Sequence, residues 1–314
     1  KIKPDLKWSD GTDFTAEDVK FTADYCMHPE GGCAQLSRYE GVKTVEVVDP
    51  LTVKVTFEGP QPNPFSAFVG ATSPILQKAQ FQNCLGTAAS TCTEQNTKPI
   101  GTGPFRVTDF KVNDVVMLKA NPNYRDPAKP AFATAMVKGG GDAESATRAV
   151  METGEFDYAW NTQVNPEVQE QMKAGGKGEF IVDFGTLVER IELNQTDPSS
   201  DLPADERSTT KHPHPFLSDP KVRKALSMAL DRQALVDIGY GDAGRPSCDL
   251  VPAPEMYAAK NDSCFKQDIE GAKKLLDEAG WVPGADGIRE KDGQRLSLWV
   301  NHALPQPRSK EIVT

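Results

Sequence analysis

The sequence predicts an α/β protein, and three observations carry that expectation. Apolar residues alternate with polar ones over 45–57 and again over 105–117, which is the period of a strand with one buried face. Elsewhere apolar residues recur every three or four positions behind a Thr or Asp, the pattern of a capped helix. The 314 residues also exceed a single module of roughly 150.

Residues 1–99 read as an α+β segment. Trp8-Ser9-Asp10-Gly11-Thr12 is a turn, and Thr15 caps a helix whose first turn is acidic, through Glu17 and Asp18, and which runs to about Tyr25. Val45, Val47, Val53, Val55 and Phe57 alternate around Asp49-Pro50-Leu51, so a hairpin is expected. Residues 59–99 are rich in Pro, Gly, Thr and Gln and read as loop, with one short helix near 74–80. Residues 100–192 open on Gly101-Thr102-Gly103-Pro104-Phe105 and a second hairpin. Asp142 then caps a helix that Gly154 stops, followed by a strand over 156–160, a helix over about 166–173 and strands over about 179–193. Residues 193–314 begin with a polar loop, 197–215, long enough to suggest a functional or interdomain segment. Helices follow at Asp219-Pro220, near 232–239 and after Asp268, with a strand over 296–300.

Charge and composition exclude several functions. There are 45 acidic and 35 basic residues, a net charge of −10, with no basic stripe, so no nucleic-acid partner is expected. No apolar run approaches the ~20 residues that a membrane helix needs. The six cysteines, Cys26, Cys33, Cys84, Cys92, Cys248 and Cys264, form three neighbouring pairs in Gly-, Ser- or Thr-rich loops. Three local disulfides in an oxidising compartment are preferred; six free thiols are the alternative. No Cys-x-x-Cys is present, and His28 alone lies near a cysteine pair, so no metal or cofactor is expected.

No catalytic motif stands out. There is no Gly-x-Ser-x-Gly elbow, phosphate loop or His-Glu-x-x-His. His212-Pro213-His214 could offer two imidazoles to a metal, but with no nearby third ligand they read as surface loop residues; His302 is the fourth histidine. Gly139, Gly140, Gly141 and Asp142 precede a helix start, where close backbone approach and partial positive charge could hold a ligand carboxylate. A plain turn needing positive φ is the alternative. Trp160 and Asn161 end the expected 156–160 strand, where α/β proteins place ligand contacts. Glu189, Arg190 and Asn194 lie where the second segment hands over to the third, and Tyr39 completes the candidate ligand-binding set. Arg223 reads as a structural charge.

Six segments together resemble one family. They are 6–19 (Leu-Lys-Trp-Ser-Asp-Gly-Thr onward to Asp18-Val19), 99–105, 154–157, 216–226, 229–232 (Ala-Leu-Asp-Arg) and 273–281. In that order they match signatures of the extracellular solute-binding proteins, family 5, of peptide-type ABC importers. The resemblance implies a two-lobed type II clamp of the periplasmic-binding-protein kind, without catalysis. Residues 1–99 would be an inserted subdomain of the first lobe, 100–192 its main part and 193–314 the start of an incomplete second lobe. Strands near 99–105 and 187–195 would form the hinge. The chain would then be a fragment, with its N-terminal start and the rest of the second lobe missing. The implied partners are a peptide or similar small solute and ABC permease subunits. The implied place is the periplasm or cell exterior, with a lipid anchor as one option, and the full-length protein would be a monomer. The cysteine loops depart from the enteric peptide binders. A secreted carboxylate-based hydrolase and a ligand sensor on the same clamp are the alternatives.

Overall fold

Helix α1 (Ala16–Met27) starts where Thr15 predicts, because Asp18 closes its first turn. In the computed structural model, which describes residues 1–162 and 164–301, Asp18 Oδ2 accepts the Thr15 N–H at 2.9 Å and the Trp8 indole N–H at 3.3 Å. Its Oδ1 accepts the Lys78 N–H at 2.9 Å. One buried carboxyl therefore fastens three segments at once: the Trp8 turn, α1 and the start of α2 (Lys78–Phe81). A buried polar group is retained only when its hydrogen bonds are made.

The chain divides into two compact units, with the boundary between Gly141 and Asp142. In unit 1, β1 (Val42–Asp49) and β2 (Thr52–Phe57) form the expected antiparallel hairpin, with Val45 opposite Val55 and Val47 opposite Val53. Ala23 and Cys26 of α1 share a core with Tyr39, Val45 and Ala67, while Phe21 joins Phe81 and Cys84. The short helix begins at Lys78, later than the expected 74–80, because the Leu76 N–H is drawn to Thr22 Oγ1 of α1 at 2.9 Å and the Lys78 N–H to Asp18. A 3₁₀ turn (Gly86–Thr91) and α3 (Thr93–Thr97) follow. Strands β3 (Phe105–Lys111) and β4 (Val115–Ala120) are the second hairpin, and β5 (Thr134–Lys138) adds antiparallel to β4. β5 gave no sequence signal: four of its five residues are exposed, so it lacks a buried alternating face.

In unit 2, α4 (Ala143–Met151) and α5 (Pro166–Lys173) enclose Met151, Val164 and Met172. Then α6 (Pro220–Ala229), α7 (Arg232–Gly239) and α8 (Ile269–Glu278) each start on an aspartate that caps a backbone N–H. Asp219 accepts from Lys221 at 2.8 Å, Asp231 from Ala234 at 3.0 Å and Asp268 from Gly271 at 2.8 Å. Phe216, Leu217, Val222, Ala279 and Trp281 form the core of this part. A small antiparallel sheet follows, made of β6 (Val282–Pro283), β7 (Arg289–Lys291) and β8 (Gln294–Arg295).

Three segments expected to form strands do not. Residues 156–160, 179–193 and 296–300 belong to no sheet among the described residues. A strand takes its hydrogen bonds from a neighbouring ladder, and these segments join none, the single bond from the Leu296 N–H to Arg289 O not extending into one; apolar residues such as Ile181 and Leu187 stay exposed. The cysteines form three bridges, Cys26–Cys33, Cys84–Cys92 and Cys248–Cys264, and none is free. Among the described residues no helix is long and apolar enough to cross a membrane.

Candidate functional site

The glycine run begins directly after β5. The Gly139 N–H donates to Asp114 O at 2.7 Å, and Gly140 has φ +79°. A Cβ on Gly140 would lie 2.0 Å from Asn113 O, in the turn between β3 and β4. The chain's own backbone therefore makes the close approach that demands glycine at this position. Gly140→Ala is expected to destabilise unit 1 by more than about 1 kcal/mol, read from the denaturant midpoint. Asp142 is committed to its helix: Oδ1 accepts the Ser145 N–H at 2.7 Å, and that bond is the largest of those holding its carboxyl below the usual range. Gly141 completes the connection to Asp142.

The candidates in unit 2 are drawn into local partnerships. Trp160, with Tyr158 beside it, is exposed, and Asn161 takes a left-handed φ of +53°. Glu189 and Arg190 do not pair with each other. Glu189 Oε2 accepts the Tyr240 hydroxyl at 2.5 Å, and Arg190 donates Nε to Glu192 at 2.8 Å. Asn194 Oδ1 accepts the Thr196 N–H at 3.0 Å and its hydroxyl at 2.6 Å. In unit 1, Tyr39 is 5% exposed, and its hydroxyl donates to Ala67 O at 3.4 Å. Burial pushes its phenol up to about 12, and Phe68 packs edge-on against the ring. This geometry makes Tyr39 a core residue of the hairpin subdomain.

A groove of about 460 Å³ lies in unit 2, lined by Phe184, Arg245, Asp249, Ala253, Glu255 and Lys260 among others. Lys260 pairs with Glu255 at 2.8 Å. The Arg245 guanidinium stacks over Phe184, 4.6 Å from the ring centroid. A cation over a ring face is attracted by it, and guanidinium N–H groups suit a planar acceptor such as a carboxylate. The Cys248–Cys264 bridge spans the loop that carries most of this lining. Sequence reasoning missed Phe184, Arg245 and Tyr240. The neighbouring cysteine pair was the one available signal for this loop, since a stacked Arg and Phe 61 residues apart in sequence share no periodicity.

His28 and His212 make local contacts. His28 Nδ1 accepts the Glu30 N–H at 3.2 Å, and His212 Nε2 lies 2.7 Å from Glu206 Oε2. His302 lies outside the described residues. Among the described residues, no cluster of three or more His, Cys, Asp or Glu is placed to hold a metal. Arg223 donates Nη1 to Leu217 O at 2.7 Å and to Ser218 O at 2.9 Å, a structural contact.

A sequence profile of the bacterial extracellular solute-binding proteins, family 5 Middle, matches residues 1–314. The chain belongs to that family. A glutathione-binding protein, GsiB of Salmonella paratyphi A, is 28% identical over 309 residues; the match covers 96% of this chain and 52% of GsiB. Among solved structures, NikZ of Campylobacter jejuni, in complex with Ni(L-His), is 27% identical with a TM-score of 0.66, covering 94% of this chain and 54% of NikZ. The oligopeptide-binding protein AppA of Bacillus subtilis, in complex with a nonapeptide, is 26% identical with a TM-score of 0.65, over 94% and 55% of the two chains. This family-5 chain thus spans about half the length of the curated relatives it matches. Its fold class is the mixed α/β class of the type II periplasmic binding proteins, as the resemblance implied.

Proposed function

We propose that this chain is part of the substrate-binding component of an ABC importer, which captures a peptide or similar small solute and delivers it to permease subunits in the membrane. The observation that carries this reading is the family match over the whole of residues 1–314. The mechanism is capture without covalent chemistry, in which the ligand stabilises the state that binds it best. The groove at Arg245 supports a ligand with a carboxylate, held by the stacked guanidinium. Exposed Trp160 offers a flat apolar surface, and Asn161, Glu189, Arg190 and Asn194 are proposed to supply polar contacts from the same unit. The three disulfides support a periplasmic or extracellular location.

Thermal unfolding with glutathione, a nonapeptide and a nickel–histidine complex tests the reading. A true ligand at one hundred times its Kd is expected to stabilise the protein by about 2.7 kcal/mol. Arg245→Ala is expected to weaken a carboxylate-bearing ligand about ten- to a hundredfold, since a charge-assisted hydrogen bond is lost. If neither glutathione nor the nonapeptide shifts the transition, the peptide reading fails. A shift by the nickel complex alone would move the assignment to metal-complex uptake.

A further inference from the structure

The polar loop after Asn194 is closed at its mouth by backbone hydrogen bonds. The Asp197 N–H donates to His212 O and the His214 N–H to Gln195 O, both at 2.8 Å, and Thr196 bridges Pro213. His214 has a second role at the same place. Its Nδ1 accepts the N–H groups of Leu217 at 3.1 Å and Phe216 at 3.3 Å. Its ring stands edge-on to Phe216, with centroids 4.4 Å apart. Phe216 and Leu217 lie in the core with Val222 and Trp281. The imidazole thus joins the loop mouth to the core ahead of α6. An imidazole nitrogen accepts a hydrogen bond only while it carries no proton, so this geometry assigns a neutral ring with its proton on Nε2.

We infer that His214 is an acid-released latch: a proton on Nδ1 cancels both hydrogen bonds, sets N–H against N–H, and frees the Phe216 and Leu217 backbone from the imidazole. Asp197, across the bridge, favours the protonated ring. Arg223 of α6 has its guanidinium on the carbonyls of Leu217 and Ser218. The Asp219 carboxyl is taken up by the Lys221 N–H, and Glu206 by His212 and Lys211. Burial outweighs Asp197 and holds the His214 pKa below its ordinary 6.5. The folded state therefore binds fewer protons than the unfolded chain between those two values. The latch is at full strength above 6.5 and weakens as pH falls through the lowered folded value.

Amide hydrogen exchange by NMR, from about pH 7.5 down to about pH 5, tests the latch in the wild-type chain and in His214→Asn. The Asn Oδ1 can accept the same two N–H groups and has no proton to gain in this range. After correction for intrinsic exchange, protection at Phe216 and Leu217 is expected to fall about tenfold in the wild type, the scale of a lost hydrogen-bond pair, and to stay level in the variant. Equal pH slopes in the two proteins overturn the inference. Ring ¹⁵N shifts of the wild type give a second reading that needs no variant. The Nε2–H tautomer is expected at neutral pH, and an Nδ1–H tautomer would refute the latch.

Discussion

Replacing Trp8 by alanine is expected to cost unit 1 about 3–5 kcal/mol, the range for truncating a buried aromatic. The side chain is 1% exposed and stands 5.2 Å from the Phe14 ring. The cost has two parts. A cavity is left in a region that three segments have closed around, and Asp18 loses the indole N–H that helps satisfy it. Trp8→Phe separates them, because it keeps most of the volume and removes only the donor; about 1–3 kcal/mol is expected. Denaturant unfolding followed by circular dichroism reads both. Two units can melt separately, so the effect is expected in one transition and not the other. A Trp8→Ala loss below about 1 kcal/mol would show that the Asp18 junction does not hold unit 1 together.

Removing the Cys248–Cys264 bridge is expected to cost unit 2 about 3 kcal/mol, from the chain entropy released by opening a loop of 16 residues. The other two bridges close only 7 and 8 residues, so this one restrains the most chain. Its functional effect is expected to be larger than its thermal one. Asp249, Ala253, Glu255 and Lys260 all lie inside the closed loop, and Arg245 lies three residues before it. A Cys248→Ala, Cys264→Ala double variant is therefore expected to lose ligand binding even below its melting temperature, measured by calorimetric titration with whichever ligand stabilises the wild type. Unchanged affinity would show that the groove does not serve capture.

Local signals in the sequence were read correctly where one segment supplies the whole interaction. Asp142, Asp219, Asp231 and Asp268 each accept a backbone N–H within three residues, and Asp18 accepts that of Thr15, so a cap and its helix are legible together. The same holds for both hairpins, whose alternating faces and turns are adjacent in sequence. The failures share a cause. The segments 179–193 and 296–300 carry strand composition but have no ladder partner among the described residues. β5 has a partner but no pattern, because β4 supplies its hydrogen bonds while its side chains stay outside. The helix expected at 74 was displaced by Thr22 and Asp18, more than fifty residues away in sequence.

The candidate site divides along the same line. The sequence by itself determined the family, through six short motifs in a fixed order, and the local cysteine pairing, because loops of 7, 8 and 16 residues bring their ends together at little entropic cost. Only the tertiary structure decided which side chains are already engaged. Tyr39 is buried under Phe68, Glu189 is taken by Tyr240, and the space beside Gly140 is filled by Asn113. It also placed Arg245 over Phe184, 61 residues away in sequence. Such contacts join residues through packing and desolvation, which depend on distance in space and leave no period in the chain.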